Sequence, residues 1–262
     1  MSNRFKTHRN LSAVVATVIG GAGLAGCSQD GVRCGTAHGD FAVKLVVKAN
    51  PNSCDVSAGG IYGLTTYYYP DPDNRPDYNH ASLAIQADEL GAVVDDAEAR
   101  LGELPDPANK PYAKGDFDSA RPAADDLCSV STLVAAKQNI PALDADETDP
   151  EAPIPAEPAK TFEYAWSNFK VLVTAAANGT QFISDLSITK DGCAVQYEAW
   201  GLYPAIYCET DADCNAIADP DNGRPTGSGI NPDYEVACDL TLPQYTGDGL
   251  GLCMLKSKPP AP

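Results

Sequence analysis

Nine cysteines set the first limit on this chain: eight of them fall between residues 34 and 253, and no two stand as Cys-x-x-Cys. Clustered zinc ligands come in close pairs of that kind. A Cys-x-x-Cys-His run, which would attach c-type haem, is absent as well. An even set in an oxidising compartment reads as disulfides. Cys34, Cys54, Cys128, Cys193, Cys208, Cys214, Cys238 and Cys253 are therefore expected to form four of them, provided the chain is exported.

The N-terminus supplies that condition. Arg4, Lys6 and Arg9 form a positive start with no acidic residue, and residues 11–25 carry no charge. The tightly apolar part, 13–19, is too short for a transmembrane helix, which needs about 20 apolar residues, and fits the centre of a secretory signal. The segment ends Leu24-Ala25-Gly26-Cys27, which resembles the lipobox of bacterial lipoprotein signal peptides. That resemblance implies a signal peptide over 1–26, diacylglycerol on the Cys27 thiol, cleavage before it, and a fatty acid such as palmitate on the new amino group. Each buried methylene contributes roughly 0.8 kcal/mol, so two or three chains anchor stably where one does not. Ser28, rather than Asp, follows the cysteine, which by resemblance to enterobacterial sorting implies the outer membrane of the cell envelope. No later stretch is apolar enough to span a bilayer.

Cleavage would remove three basic and no acidic residues from 18 Lys+Arg and 36 Asp+Glu, leaving a net charge of −21 on the mature chain. Such a surface repels nucleic acid and anionic lipid headgroups. The membrane is then met through the lipid anchor alone. An extracellular ligand or an envelope protein is the expected partner.

Two turn signals give the clearest view of the fold. Asn178-Gly179 and Asp191-Gly192 separate three β-rich runs at 162–176, 180–189 and 193–208. Such pairs favour type I′ turns, because both central residues need positive φ. A three-stranded meander is predicted, with Phe182, Leu186 and Ile188 on one face and Val195, Tyr197 and Ala199 on the matching face of the next strand. Asn178-Gly179-Thr180 is also formally a glycosylation sequon, but the turn reading is preferred. Further strands are expected at 40–48, 61–69 and 81–87, and a hairpin from 235–242 to 250–255. Leu90, Val93, Val94, Ala97 and Leu101 recur at helical spacing over 89–101. Residues 127–136 form a brief helix or strand around Cys128. Flexible insertions are expected near 104–126 and 141–160, both rich in Pro and acidic residues. The hairpin would set Cys238 opposite Cys253 as one disulfide. Cys193 and Cys208 cannot pair across an unbroken strand, whose ends would stand roughly 50 Å apart at about 3.3 Å per residue; only a bend at Gly201 or Pro204 would allow it.

The reading is thus a signal peptide at 1–26, a lipidated tether at 27–38 and a single mainly β domain at 39–258. That domain is an antiparallel barrel or sandwich of six to nine strands with one or two short helices, stapled by disulfides. A split into two domains at the Pro-rich stretch would leave each half with a smaller core.

Chemistry is sparse. His38 and His80 are the only histidines after cleavage, and nothing frames either in a catalytic triad. No Gly-x-Ser-x-Gly, His-Glu-x-x-His or nucleotide loop is present, so a non-enzymatic protein is expected. Calcium is the ligand that Asp211, Asp213, Asp219 and Asp221 would suit. The run Asp211-Ala212-Asp213-Cys214-Asn215 opens like an EF-hand, but Ala216 stands where Gly belongs. Asp71, Asp73 and Asp77 make a similar loop. Tyr67, Tyr68, Tyr69, Trp166 and Trp200 are candidates for stacking on sugars or peptides, although alternation sends every second one inward.

Several segments resemble cysteine-rich lipoproteins of myxobacteria: Phe41-Ala42-Val43-Lys44, Ser82-Leu83-Ala84-Ile85-Gln86, Trp166-Ser167-Asn168, Gly179-Thr180-Gln181-Phe182, Asp191-Gly192-Cys193 and Ser228-Gly229-Ile230-Asn231-Pro232-Asp233. The resemblance implies an extracytoplasmic β domain and no particular activity. Ligand or partner binding at the envelope is the leading expectation, ahead of a structural envelope component and an uncharacterised enzyme.

Overall fold

Apolar residues at every second position, with turn residues between the runs, fold most of this chain into antiparallel strands. The computed structural model describes residues 31–146, 154–242 and 250–260. The signal segment, Cys27 and residues 28–30 lie outside the described residues. Nine strands form one sheet: β1 (Gly39–Ala49), β2 (Gly59–Pro70), β3 (Pro76–Ala87), β4 (Ala113–Asp116), β5 (Leu127–Val130), β6 (Ala136–Ile140), β7 (Lys160–Val173), β8 (Asn178–Lys190) and β9 (Cys193–Leu202). Their order is β4-β3-β2-β1-β9-β8-β7-β5, with β6 also on β7. Backbone bonds bring the two edges together: Asp118 N–H donates to Ser129 at 2.9 Å, and Lys114 and Val134 exchange bonds of 3.1 and 2.8 Å. The sheet is therefore a nearly closed barrel rather than a sandwich, with few of the open strand edges that invite pairing with another chain.

The inward faces supply the core. Phe169 stacks on Phe182 at 4.6 Å between ring centroids, and Trp166 meets them edge-on at 5.9 and 6.2 Å. Tyr62 meets Trp166 edge-on at 5.7 Å, and Phe41 lies 5.8 Å from Phe182. Trp166 and Phe169 both point inward although they are three residues apart. A bulge between Ser167 and Lys170, with Asn168 at φ 52°, resets the alternation. The expected helix is α1 (Asp88–Leu101), ended by Gly102 in the left-handed conformation. It packs Leu90, Val94 and Ala97 into the same core.

Four disulfides form, as the cysteine count predicts: Cys34–Cys128, Cys54–Cys193, Cys208–Cys238 and Cys214–Cys253. The expected Cys238–Cys253 bond does not. The two residues do sit opposite one another in β11 (Val236–Asp239) and β12 (Gly251–Leu255). Register alone does not select the partner, because the cysteines of this region crowd together, with the Cys208, Cys214 and Cys253 sulfurs within 4.8 Å of one another. Cys253 instead bonds Cys214, at the end of a 3-10 turn, and Cys238 reaches Cys208 on β10 (Tyr207–Cys208). These short strands form a C-terminal lobe. It lays Leu242, Leu252 and Met254 over Ala42 on the outside of β1, and packs Ile230, Tyr234 and Leu255 with Leu202 of β9. The turn 243–249 lies outside the described residues.

Three further stretches are held by specific contacts. Residues 31–38 are not a free tether: Cys34 is buried in its disulfide, Cys34 N–H bonds Ala120 at 3.1 Å and Ala37 N–H bonds Gly179 at 2.9 Å. The insertion at 104–126 carries β4. Its polar residues hold it in place, since Asp106 Oδ2 accepts bonds from the Asn139 backbone and the Asn109 and Asn139 amides at 2.7 to 2.9 Å. The described flanks of the 141–160 stretch pair with each other through Leu143 with Glu157 and Asp146 with Ile154, and Arg100 of α1 grips Glu157 at 3.1 Å. Residues 147–153 lie outside the described residues.

Candidate ligand-binding face

Aromatic rings occupy the barrel axis, so a ligand site has to be sought on the wall or at the mouths. The outer face of β2, β3 and β4 offers one. Tyr62 and Leu64 point inward, which turns Gly63, Thr65 and Tyr67 outward. Register carries that face across the sheet. Gly63 pairs with Gln86, Thr65 with Ala84 and Tyr67 with Ser82, and Ala84 in turn pairs with Lys114. Small side chains thus make a floor, and Tyr67, Tyr112, His38 and Lys114 rise around it. The result is an open groove of about 510 Å³ with no carboxylate among its lining residues.

The rim is ordered by its own contacts. His38 Nδ1 lies 2.6 Å from the Thr65 hydroxyl. Lys114 Nζ sits 5.5 Å from the centre of the Tyr69 ring, and the Tyr69 hydroxyl donates to Asp116 at 2.8 Å. Tyr67 is 57% exposed and Tyr112 37%, so each presents a ring to solvent.

The predicted aromatic set is therefore divided. Trp166 belongs to the core, and Trp200 is half-buried against the C-terminal lobe with its indole N–H on Glu198 at 2.8 Å. Tyr68 turns away and packs edge-on against Tyr78 at 5.0 Å. Burial raises the Tyr68 hydroxyl pKa. Tyr67 and Tyr69 remain exposed. Tyr112, which the sequence reading missed, joins them because the short strand β4 was hidden in a Pro-rich stretch.

A second groove, of about 660 Å³, opens at one barrel mouth between residues 56–62, Glu89, Lys190, Tyr207 and Thr241. Lys190 and Glu89 pair across it at 2.5 Å, and the Tyr164 hydroxyl donates to Glu89 at 3.3 Å. Tyr62 behind it is buried, and that burial drives its phenol far above the usual range.

The proposed calcium residues are not gathered. Asp211 accepts the Cys238 N–H at 2.8 Å. Asp213 caps its own turn, and the Thr210 and Glu209 backbone N–H groups hold its carboxyl below the usual range. Asp219 takes the Asn222 amide at 2.8 Å and the Arg224 guanidinium at 2.6 Å, which likewise lower its pKa. Arg224 stands where a cation would. Asp221 joins none of these contacts. In the other loop Asp71 accepts the Asp73 and Arg75 N–H groups, Asp73 pairs with Arg75, and Asp77 pairs with His80 at 2.6 Å. Among the described residues the one cluster with metal-ligand spacing is Cys208, Cys214 and Cys253, and all three sulfurs are spent in disulfides.

The family model described as MlpA matches residues 39–204, the span from β1 to the turn after β9. The Myxococcus xanthus protein named "Putative lipoprotein MlpA" is 27% identical over 238 residues, covering 86% of this chain and 89% of that one. No solved structure matches.

Proposed function

The chain belongs to the MlpA family, and from that premise we propose that it is an exported, lipid-anchored protein of the cell envelope, delivered to the outer membrane, that binds an extracellular ligand without transforming it. One observation carries the reading. Every cysteine from Cys34 onward is consumed in a disulfide, and the single thiol left over is the one in the lipobox, Cys27. Disulfides persist outside the cytoplasm, where a lipobox cysteine is acylated.

Fractionation with mass spectrometry tests the reading. The native protein should partition with membranes and carry acyl chains on residue 27. The Cys27→Ser variant should be soluble with its four disulfides intact. A Cys27→Ser protein that stays with the membrane, or a native chain with no acyl groups, overturns the anchor.

A further inference from the structure

The groove on β2, β3 and β4 has a chemistry that can be matched to a ligand. We propose that it binds a carboxylate-bearing polysaccharide, with sugar ring faces on Tyr67 and Tyr112 and the carboxylate at Lys114. The inference deepens the ligand-binding reading above and rests on it.

Three observations carry it. First, the backbone at this site is largely paired. β3 lies between β2 and β4, the far side of β4 is bonded to Val134, and β2 pairs with β1 as far as Leu64. Beyond Leu64 the segment 36–38 runs along β2, with Thr36 N–H on the Thr66 hydroxyl and His38 on the Thr65 hydroxyl. A peptide that adds itself to a sheet needs a free edge, and the short one left here is already flanked by that segment. Recognition has to come from side chains. Second, those side chains are the kind that hold sugars: tyrosine rings with an apolar face and a polar tip, beside the Thr65 hydroxyl, the Gln86 amide and His38. Third, charge is selected. Acidic residues outnumber basic ones 36 to 18 in the chain, yet no carboxylate lines the groove. Lys114 makes no salt bridge among the described residues. A cation in a carboxylate-free trough, on a strongly acidic protein, favours an anionic group on the ligand.

Gly63 provides a clean way to close the site. It lies on the floor, and a Cβ built there meets no atom within 4 Å. Gly63→Val therefore adds bulk to the groove floor from an unobstructed Cβ and suits a strand.

The test uses the full mature protein, extracted in detergent, with polygalacturonate and alginate as acidic probes and dextran as the neutral one. Affinity electrophoresis and calorimetry read the binding. Retardation by at least one uronate polymer and not by dextran is expected. Tyr67→Ala and Tyr112→Ala should each weaken it about tenfold, and Gly63→Val should abolish it. Lys114→Gln should weaken it several-fold and flatten its salt dependence. Tyr207→Ala, in the other groove, should change nothing. Melting curves of all variants should overlay the native one. The proposal falls if neither uronate polymer binds, if dextran binds equally, if the groove variants bind as the native protein does, or if a random decapeptide pool binds in their place. Mass spectrometry of the same sample keeps the two readings apart. Unacylated protein that binds a uronate polymer sinks the anchor and leaves the groove; acylated protein that binds neither does the reverse.

Discussion

The barrel from β1 to β9 and the lobe from residue 205 to 260 use disulfides for opposite purposes. Six of the barrel's nine strands run to 10–14 residues, β1, β2, β3, β7, β8 and β9, around a continuous aromatic core. Its two disulfides span 94 and 139 residues and fasten outlying segments to a wall that already exists: Cys34 pins the N-terminal segment to β5, and Cys54 pins the β1–β2 connection to the start of β9. The lobe has strands of two, four and five residues. So small a sheet buries too little apolar surface to stand alone. Its disulfides span only 30 and 39 residues and take the place of a core. The MlpA match ends at 204, at the boundary between these two ways of building.

Removing the barrel's centre should break the contrast most severely. Phe182 touches Phe41, Trp166 and Phe169, and Phe182→Ala should cost about 3–5 kcal/mol. Urea unfolding should show that loss as a lower midpoint shared by the whole chain. In the lobe, Cys214→Ser with Cys253→Ser removes a closure worth up to about 4 kcal/mol in the chain-entropy account. The damage should stay local. Hydrogen exchange should lose protection in β10, β11 and β12 while β7 and β8 keep theirs. Equal loss in β8 would show that the lobe is a true part of the barrel core.

How much of this was legible in the sequence is shown by its two turn signals. Asp191-Gly192 is the predicted turn, with both residues at positive φ (50° and 79°) and Lys190 paired to Cys193. Asn178-Gly179 is not. The chain reverses earlier, at residues 174–177, and Val173 pairs with Asn178. Gly179 has φ 72° for another reason: the N-terminal segment passes so close that a Cβ there would lie 2.5 Å from the Gly35 carbonyl. Long-range contact, invisible to local pattern, reassigned a local signal. Gln181 precedes the inward Phe182 and so faces outward by alternation, yet it is fully buried, and its register partners Leu172 and Leu202 pack with residues of the lobe. Alternation gave the long strands β1, β2, β3, β7, β8 and β9 and much of the core, helical spacing gave α1, and the cysteine count gave four bonds. Pairing, barrel closure and Tyr112 depended on contacts far apart in sequence. Substitution separates the two glycines. Gly192→Ala meets no atom and should cost about 1 kcal/mol for the left-handed backbone alone. Gly179→Ala should cost more by thermal melting, since it must also push residues 35–37 off the wall.

The smallest expected effect acts on the seam between the two regions. Among the described residues two ion pairs cross it: Lys44 of β1 with Asp239 of β11 at 2.6 Å, and Lys258 with Glu198 of β9. Burial alone would raise Asp239, but hydrogen bonds from Lys44 and Thr241 outweigh it and leave the carboxyl below its usual range. Lys258, helped by the Trp200 indole, holds Glu198 low as well. A carboxylate depressed on folding stabilises the folded state above its unfolded pKa, near 4, and that contribution is lost as pH falls through the folded value. Acid should therefore loosen the seam from below about pH 4. Each pair is worth only about 0.2–1 kcal/mol, too little to unfold the barrel. Exchange measured at pH 6 and pH 3, corrected for the intrinsic rate, should show the lobe's opening favoured at pH 3 by a factor that Lys44→Met with Lys258→Met removes. If the doubly substituted protein keeps the full pH response, the seam is held by Leu242, Leu252 and Met254 against β1, and its acid sensitivity arises elsewhere.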